Sequence, residues 1–130
     1  MTDRNLIDKA ADAMKNSYAP YSRFPVGAAV ECEDGSVFTG SKIENAALGN
    51  TLCAERSAVA GAVSAGKRGF RRIAIYAESS SYAFPCGACR QVLWEFSPDV
   101  EVLCARSDGR YVSYRLSALL PEPFGREQME

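Results

Sequence analysis

Histidine is absent from all 130 residues. That gap removes every mechanism that needs an imidazole as base, as partner to a nucleophile or as metal ligand. Any metal must then be held by thiolates and carboxylates, and any general base must be Glu, Asp, Lys, Tyr or Cys. No apolar run is long enough to cross a bilayer, so no membrane partner is expected. The opening Met1-Thr2-Asp3-Arg4-Asn5 lacks the basic-then-apolar layout of a secretory leader. Charge of one sign is lacking too. Fifteen Lys and Arg against 16 Asp and Glu leave a net charge of -1, which gives no field to gather nucleic acid. The basic cluster Lys67, Arg68, Arg71 and Arg72 reads as a solvated loop ahead of a strand. A cytoplasmic protein without a polynucleotide partner is expected.

What is present fits one globular domain over residues 1–130, at 47% hydrophobic and 24% charged. In a reducing compartment its five cysteines do not suggest a disulfide framework. They divide by context. Cys32 and Cys104 sit in apolar, strand-like runs, where a small buried thiol is the plain reading. Cys53, Cys86 and Cys89 sit beside Glu, Arg, Gly and Pro, in segments that look like helix starts.

Leu6, Ala10, Ala13 and Met14 recur at helical spacing, predicting a helix over about residues 3–16. Strands follow at Val26 to Glu33 and Ser36 to Glu44, with Asp34-Gly35 as the hairpin turn between them. A loop over Ala46 to Thr51 leads into an Ala-rich helix from about Cys53 to Gly66. Arg72 to Ala77 is a short strand, Ser79 to Pro85 a loop, and Cys86 or Gly87 to Phe96 a helix. Strands at Val100 to Ala105 and Tyr111 to Tyr114 flank a second turn, Asp108-Gly109. Leu116 to Leu120 is a helical turn, and an extended tail begins at Pro121. The order predicts an α/β fold, a sheet of about five strands covered by helices.

Pro85-Cys86-Gly87-Ala88-Cys89 holds a Cys-x-x-Cys pair, a spacing shared by redox motifs and zinc sites. A third cysteine upstream, followed at once by Ala54 and Glu55, suits the redox reading poorly. Helix N-termini lower thiol pKa and favour the thiolate that binds zinc. Three thiolates on Zn²⁺ carry a net charge of about -1 and leave a fourth position open to water. Arg56 and Arg90 each directly follow a motif, either as donors to the thiolates or as surface arginines. Glu55 is too close to Cys53 to ligate comfortably and is placed to move protons beside the metal. Zinc held by thiolates beside a carboxylate proton shuttle resembles the constellation of the zinc deaminases, and that resemblance implies hydrolytic deamination of an aminopyrimidine.

At these residues the chain resembles the small homotetrameric, zinc-dependent cytidine deaminases. Five ordered blocks carry the resemblance. They are Tyr18-Ala19-Pro20-Tyr21-Ser22-Arg23-Phe24-Pro25-Val26-Gly27-Ala28-Ala29, Ile43-Glu44-Asn45-Ala46, Cys53-Ala54-Glu55-Arg56-Ser57-Ala58, Pro85-Cys86-Gly87-Ala88-Cys89-Arg90-Gln91-Val92, and Leu119-Leu120-Pro121 with Phe124-Gly125. The resemblance implies a three-layer α/β/α fold around a five-stranded mixed sheet. It also implies one zinc per subunit, a nucleoside substrate, and sites completed by neighbouring subunits. Phe24 would stack on the pyrimidine, Glu44 would accept from a sugar hydroxyl, and the Ala54 N–H would bind the pyrimidine carbonyl. Phe124 would reach toward a neighbour's site.

Three positions depart from the family pattern: Lys42 replaces a sugar-binding Asn, Phe84 a small polar residue, and Leu48 a loop Tyr. All three lie where the family reads the sugar or closes the pocket. Lys42 admits two readings, a cation that favours an anionic or modified sugar, or a side chain pointing to solvent. Rival functions are a structural zinc module, which would need a fourth ligand, and a polynucleotide-editing deaminase, which would want a basic groove. A deaminase of a cationic nucleoside antibiotic, of the blasticidin S type, is disfavoured by Lys42.

Overall fold

The computed structural model describes residues 1–129. Its first helix, α1 (Asp3–Met14), starts at Thr2, whose side chain accepts from the Asn5 N–H while the Asn5 side chain accepts from the Thr2 N–H. This reciprocal cap satisfies two N–H groups that the helix itself cannot pair. Leu6, Ile7, Ala10 and Ala13 form its buried stripe.

Five strands form one sheet in the order β2-β1-β3-β4-β5. They are β1 (Val26–Cys32), β2 (Val37–Ser41), β3 (Phe70–Ala77), β4 (Glu101–Ala105) and β5 (Tyr111–Arg115). β3 and β4 pair in parallel and every other neighbour is antiparallel. The predicted Asp-Gly turns both close hairpins. Gly35 takes a φ of +89°, a conformation that costs other residues energy, and Asp34 accepts from the Ser36 N–H at 3.0 Å.

Alternation along the strands sorts the core into two faces. Ala29, Ala74, Leu103 and Ala105 pack beneath α1 with Leu6, Ile7 and Ala10. Ala28, Val30, Ile73, Ile75, Val102 and Cys104 face the other way, against α2 (Ala54–Ser64) and α3 (Gly87–Phe96). Helices thus cover both faces of a five-stranded mixed sheet, as expected. Cys32 and Cys104 are fully buried free thiols within β1 and β4.

α2 lies unusually close to the edge strand β2. A Cβ on Gly40 would fall 2.4 Å from both the Ala54 carbonyl oxygen and the Ala58 nitrogen. Only glycine permits that approach, and it brings the first residue of α2 down onto the sheet.

Several local expectations are corrected. β3 begins at Phe70, two residues before the expected Arg72, so Arg71 lies inside the strand and not in a loop. Arg72 is in the strand as expected but is not solvated, being paired with Glu31 at 2.8 Å and Asp3 at 2.7 Å. β2 ends at Ser41. Beyond it Ile43 makes isolated bridges to Tyr18 and Leu52 instead of continuing the ladder. A 3-10 turn over Leu48–Asn50 interrupts the predicted loop, and another over Arg126–Gln128 breaks the predicted extended tail. The helical turn at Leu116 is α4 (Leu116–Leu119).

Candidate active site

Both chemistry-bearing motifs fall at helix starts. Cys53 is the N-cap of α2 and Cys86 the N-cap of α3, each with extended backbone, and Cys89 is in the first turn of α3. No side chain caps either helix, so the positive ends of two helix dipoles face the thiols. The Sγ atoms of Cys53, Cys86 and Cys89 all lie within 4.8 Å of one another. Cys53 and Cys86 are 3.9 Å apart, and Cys86 and Cys89 3.5 Å. Tetrahedral zinc with Zn–S bonds of about 2.3 Å sets its sulfurs about 3.8 Å apart, so the spacing fits the ion. It is far from the roughly 2 Å of a disulfide. Among the described residues no fourth Cys, Asp or Glu joins the cluster.

Three thiols this close cannot all ionise without a cation among them. The negative charge settles on Cys53, whose pKa falls to about 5 through a hydrogen bond from Cys89 and the nearby Arg56 guanidinium. The same bond, with burial, holds the Cys89 thiol well above its ordinary value. Arg56 donates to Cys53 Sγ at 3.5 Å and to the Thr51 carbonyl at 3.2 Å. Its Nε is buried without a partner, a donor left beside a cluster that gains negative charge when more thiols ionise.

Glu55 is 5% exposed and lines the same pocket as Cys53 and Cys86. Burial, reinforced by the Cys53 charge, raises its carboxyl to about 7. A group that titrates near neutrality can both take and give a proton. The pocket is about 390 Å³, within the size range of small-molecule sites. Phe24, Val26, Ile75, Tyr82, Ala83 and Phe84 supply its apolar walls, Ala54 adjoins Glu55, and Lys42 contributes a cation.

The wall around Phe24 is pinned by one carboxylate. Glu44, nearly buried, accepts from the Tyr21 N–H at 2.9 Å, the Ser22 N–H at 3.1 Å and the Ser22 hydroxyl. These bonds, the Ser22 hydroxyl foremost, draw its carboxyl down to about 2. Arg23 takes a left-handed φ of +57°, rare for a residue with a side chain, directly before Phe24.

A family model described as the cytidine and deoxycytidylate deaminase zinc-binding region matches residues 1–105. The chain belongs to this family. It is 45% identical over 130 residues to the cytidine deaminase of Halalkalibacterium halodurans, spanning 99% of this chain and 98% of that protein. To the cytidine deaminase of Mycobacterium tuberculosis it is 41% identical over 128 residues, spanning 98% and 93% of the two chains. The crystal structure of the cytidine deaminase from Burkholderia pseudomallei superposes with a TM-score of 0.92 at 43% identity, covering 95% of this chain and 100% of that one. This is a zinc-binding deaminase family, and Cys53, Cys86 and Cys89 form the cluster that could hold the metal.

Not every residue that the sequence suggested for the deaminase site gathers there. Phe24, Lys42, Ala54, Glu55 and Phe84 line the pocket with two of the cysteines, while Glu44 stands behind Lys42 and does not line it. Lys42 does not point to solvent: its side chain is 17% exposed. Arg90 donates to the carbonyls of Pro85 and Leu119 and makes no hydrogen bond to a thiol, so it fastens the α4 segment to the start of α3. Leu48 is 68% exposed on its 3-10 turn, outside the pocket. Phe124 is exposed at the surface, its carbonyl accepting from Gln91, and also lies outside it. Tyr82 was missed. It stacks edge-on against Phe84, which in turn meets Tyr114, and Arg106 lies 4.8 Å over its ring. An aromatic two residues before Phe84 in a loop leading to the Cys-x-x-Cys pair was the available signal.

Proposed function

We propose that this protein hydrolyses the exocyclic amine of cytidine and 2'-deoxycytidine, giving the uridine counterpart and ammonia. The observation that carries this reading is Glu55, a buried carboxyl titrating near neutrality in the pocket that the cysteine cluster adjoins. The names of its relatives in this family support the same substrate.

Cys53, Cys86 and Cys89 would hold zinc, and Arg56 offsets their surplus charge. Bound zinc supplies the Lewis acidity that makes water nucleophilic near neutral pH. Glu55 takes a proton from the water as its oxygen bonds the ring carbon that carries the amine, and passes it to the ring nitrogen. It then carries the second proton to the exocyclic nitrogen, so that the C–N bond breaks with ammonia as leaving group and the ring carbonyl remains. The Ala54 N–H, at the start of α2, donates to the pyrimidine carbonyl, and Phe24 and Phe84 enclose the ring. Glu44 fixes the loop that carries Phe24, on the side assigned to the sugar.

Residues 1–130 act as one domain, in the cytoplasm, where free thiols persist. Exposed Tyr18, Tyr21, Leu48 and Phe124 support burial between copies in a homotetramer, with Phe124 reaching a neighbour's site. A structural zinc module is disfavoured because the cluster has three ligands and a carboxyl beside it. The test is ammonia release from cytidine and deoxycytidine by the zinc-loaded protein, its loss on chelation and its return with zinc. Zinc-loaded protein that releases none from either substrate ends this reading.

A further inference from the structure

Lys42 is the only cationic side chain lining the pocket among the described residues, and its placement is specific. The ammonium lies 3.2 Å from Ser22 Oγ, 3.2 Å from the Phe24 carbonyl and 3.3 Å from Glu44 Oε2, and 5.3 Å from the centre of the Phe24 ring. None of its bonds goes to Glu55 or to a thiol, so it does not serve the proton shuttle or the metal cluster. All three contacts are long for an ammonium, whose strong bonds are about 2.8 Å, so each is easily exchanged for a ligand atom. Behind it, Glu44 already receives two amides and a hydroxyl. Lys42 covers the remaining side of that carboxylate. A negative group is thereby withdrawn from the pocket and a positive donor put forward.

We propose that Lys42 is the charge-selecting residue of this pocket. It favours substrates that present oxygen acceptors, hydroxyl or phosphate, on the part remote from the reacting amine, and rejects those that present a cation there. An ammonium has donors and no acceptor, so a hydroxyl must accept from it, a phosphate does so more strongly, and an amine that is itself protonated meets like charge. Removing the ammonium while keeping the length of the side chain abolishes or reverses the selection, because no cation then covers the Glu44 carboxylate. The inference rests on the pocket being the nucleoside site proposed above.

The test is equilibrium binding to the zinc-loaded protein, residues 1–130, which does not depend on turnover. The ligands are uridine, its 3'- and 5'-monophosphates, and the 3'-amino-3'-deoxy and 5'-amino-5'-deoxy analogues, against wild type, Lys42→Met and Lys42→Arg. In the wild type at least one amino analogue should bind weaker than uridine by on the order of tenfold. Lys42→Met should erase or invert that ratio and Lys42→Arg preserve it. A phosphate advantage that disappears in Lys42→Met identifies phosphate as the preferred acceptor; rejection of amine without a phosphate advantage identifies the sugar hydroxyl. Should Lys42→Met fail to fold, the wild-type penalty is measured from about 20 mM to about 500 mM salt, over which an electrostatic penalty shrinks. Amino analogues that bind within about twofold of uridine in the wild type overturn the proposal. So does a ratio unchanged by Lys42→Met, or a penalty indifferent to salt. If the series shows the selection yet cytidine releases no ammonia, only the assignment of the reaction falls.

Discussion

The pocket has two walls built in different ways. The thiol wall rests on the starts of α2 and α3, helices packed over a sheet whose central strands are buried on both faces. The wall of Phe24 and Lys42 rests on residues 18–24 and on the segment just beyond β2, held mainly by hydrogen bonds to Glu44 and Ser22. Regular structure positions the groups to which the chemistry is assigned. A handful of polar bonds positions the groups proposed to sort substrates. Substitutions in the second wall should therefore alter selectivity without touching the metal, and those in the first should alter metal or turnover without altering charge selection.

Glu55→Gln gives the largest expected effect and tests the first wall. The amide keeps shape but cannot shuttle a proton, so kcat should fall on the order of 10²–10⁴-fold with zinc stoichiometry unchanged by metal analysis. Full turnover in that variant would remove Glu55 from the mechanism. Next in size is Arg56→Gln. Losing the donor to Cys53 should weaken zinc about 10–100-fold in a chelator competition. In metal-free protein the Cys53 thiolate should then form at higher pH, read by thiolate absorbance. Affinity unchanged on both counts would make Arg56 a packing residue only.

Glu44→Gln should give the smallest effect, confined to the second wall. Its carboxyl sits at about 2 in the fold against an ordinary value of 4.5. The folded state binds its proton less readily than the unfolded chain. This contribution to stability is therefore present above pH 4.5 and lost as pH falls from there toward 2. The variant should show a shallower decline in urea midpoint across that window and a modest rise in KM, with zinc binding intact. A weakening of zinc as large as that of Arg56→Gln would show that the walls are not independent.

How far these walls were legible in the sequence follows from how each is made. Helix starts announce themselves through local chemistry: Cys53 before an Ala-rich run, and Pro85 ahead of Cys86. The hairpins did so through Asp-Gly pairs, and the sheet through apolar runs such as Ile73-Ala74-Ile75. The second wall was legible in membership but not in arrangement. Phe24, Lys42 and Glu44 could be named, yet no spacing rule reveals that Glu44 turns back to bind Tyr21 and Ser22, or that Lys42 lies over it. The Arg72 pairing with Glu31 and Asp3 joins residues 41 and 69 positions apart, which local charge patterning reads as a solvated cluster. Arg90 followed its motif as Arg56 did, but its position one residue beyond Cys89 turns it toward Leu119 instead of the thiols.

Gly40 carries no chemistry, yet it fixes where Cys53 sits. It seats α2 against the edge strand with no slack, so an added methyl group, 2.4 Å from two backbone atoms, would lift the helix by roughly 1 Å. Cys86 and Cys89 ride on a different helix, which Gly40 does not seat. A displacement of about 1 Å is enough to cost about a hundredfold where geometry governs reactivity. The three sulfurs thus act as a gauge of how closely two helices are registered on one sheet. In this protein, a methyl group added at the rim of the sheet should be felt at the metal cluster, as poorer metal retention.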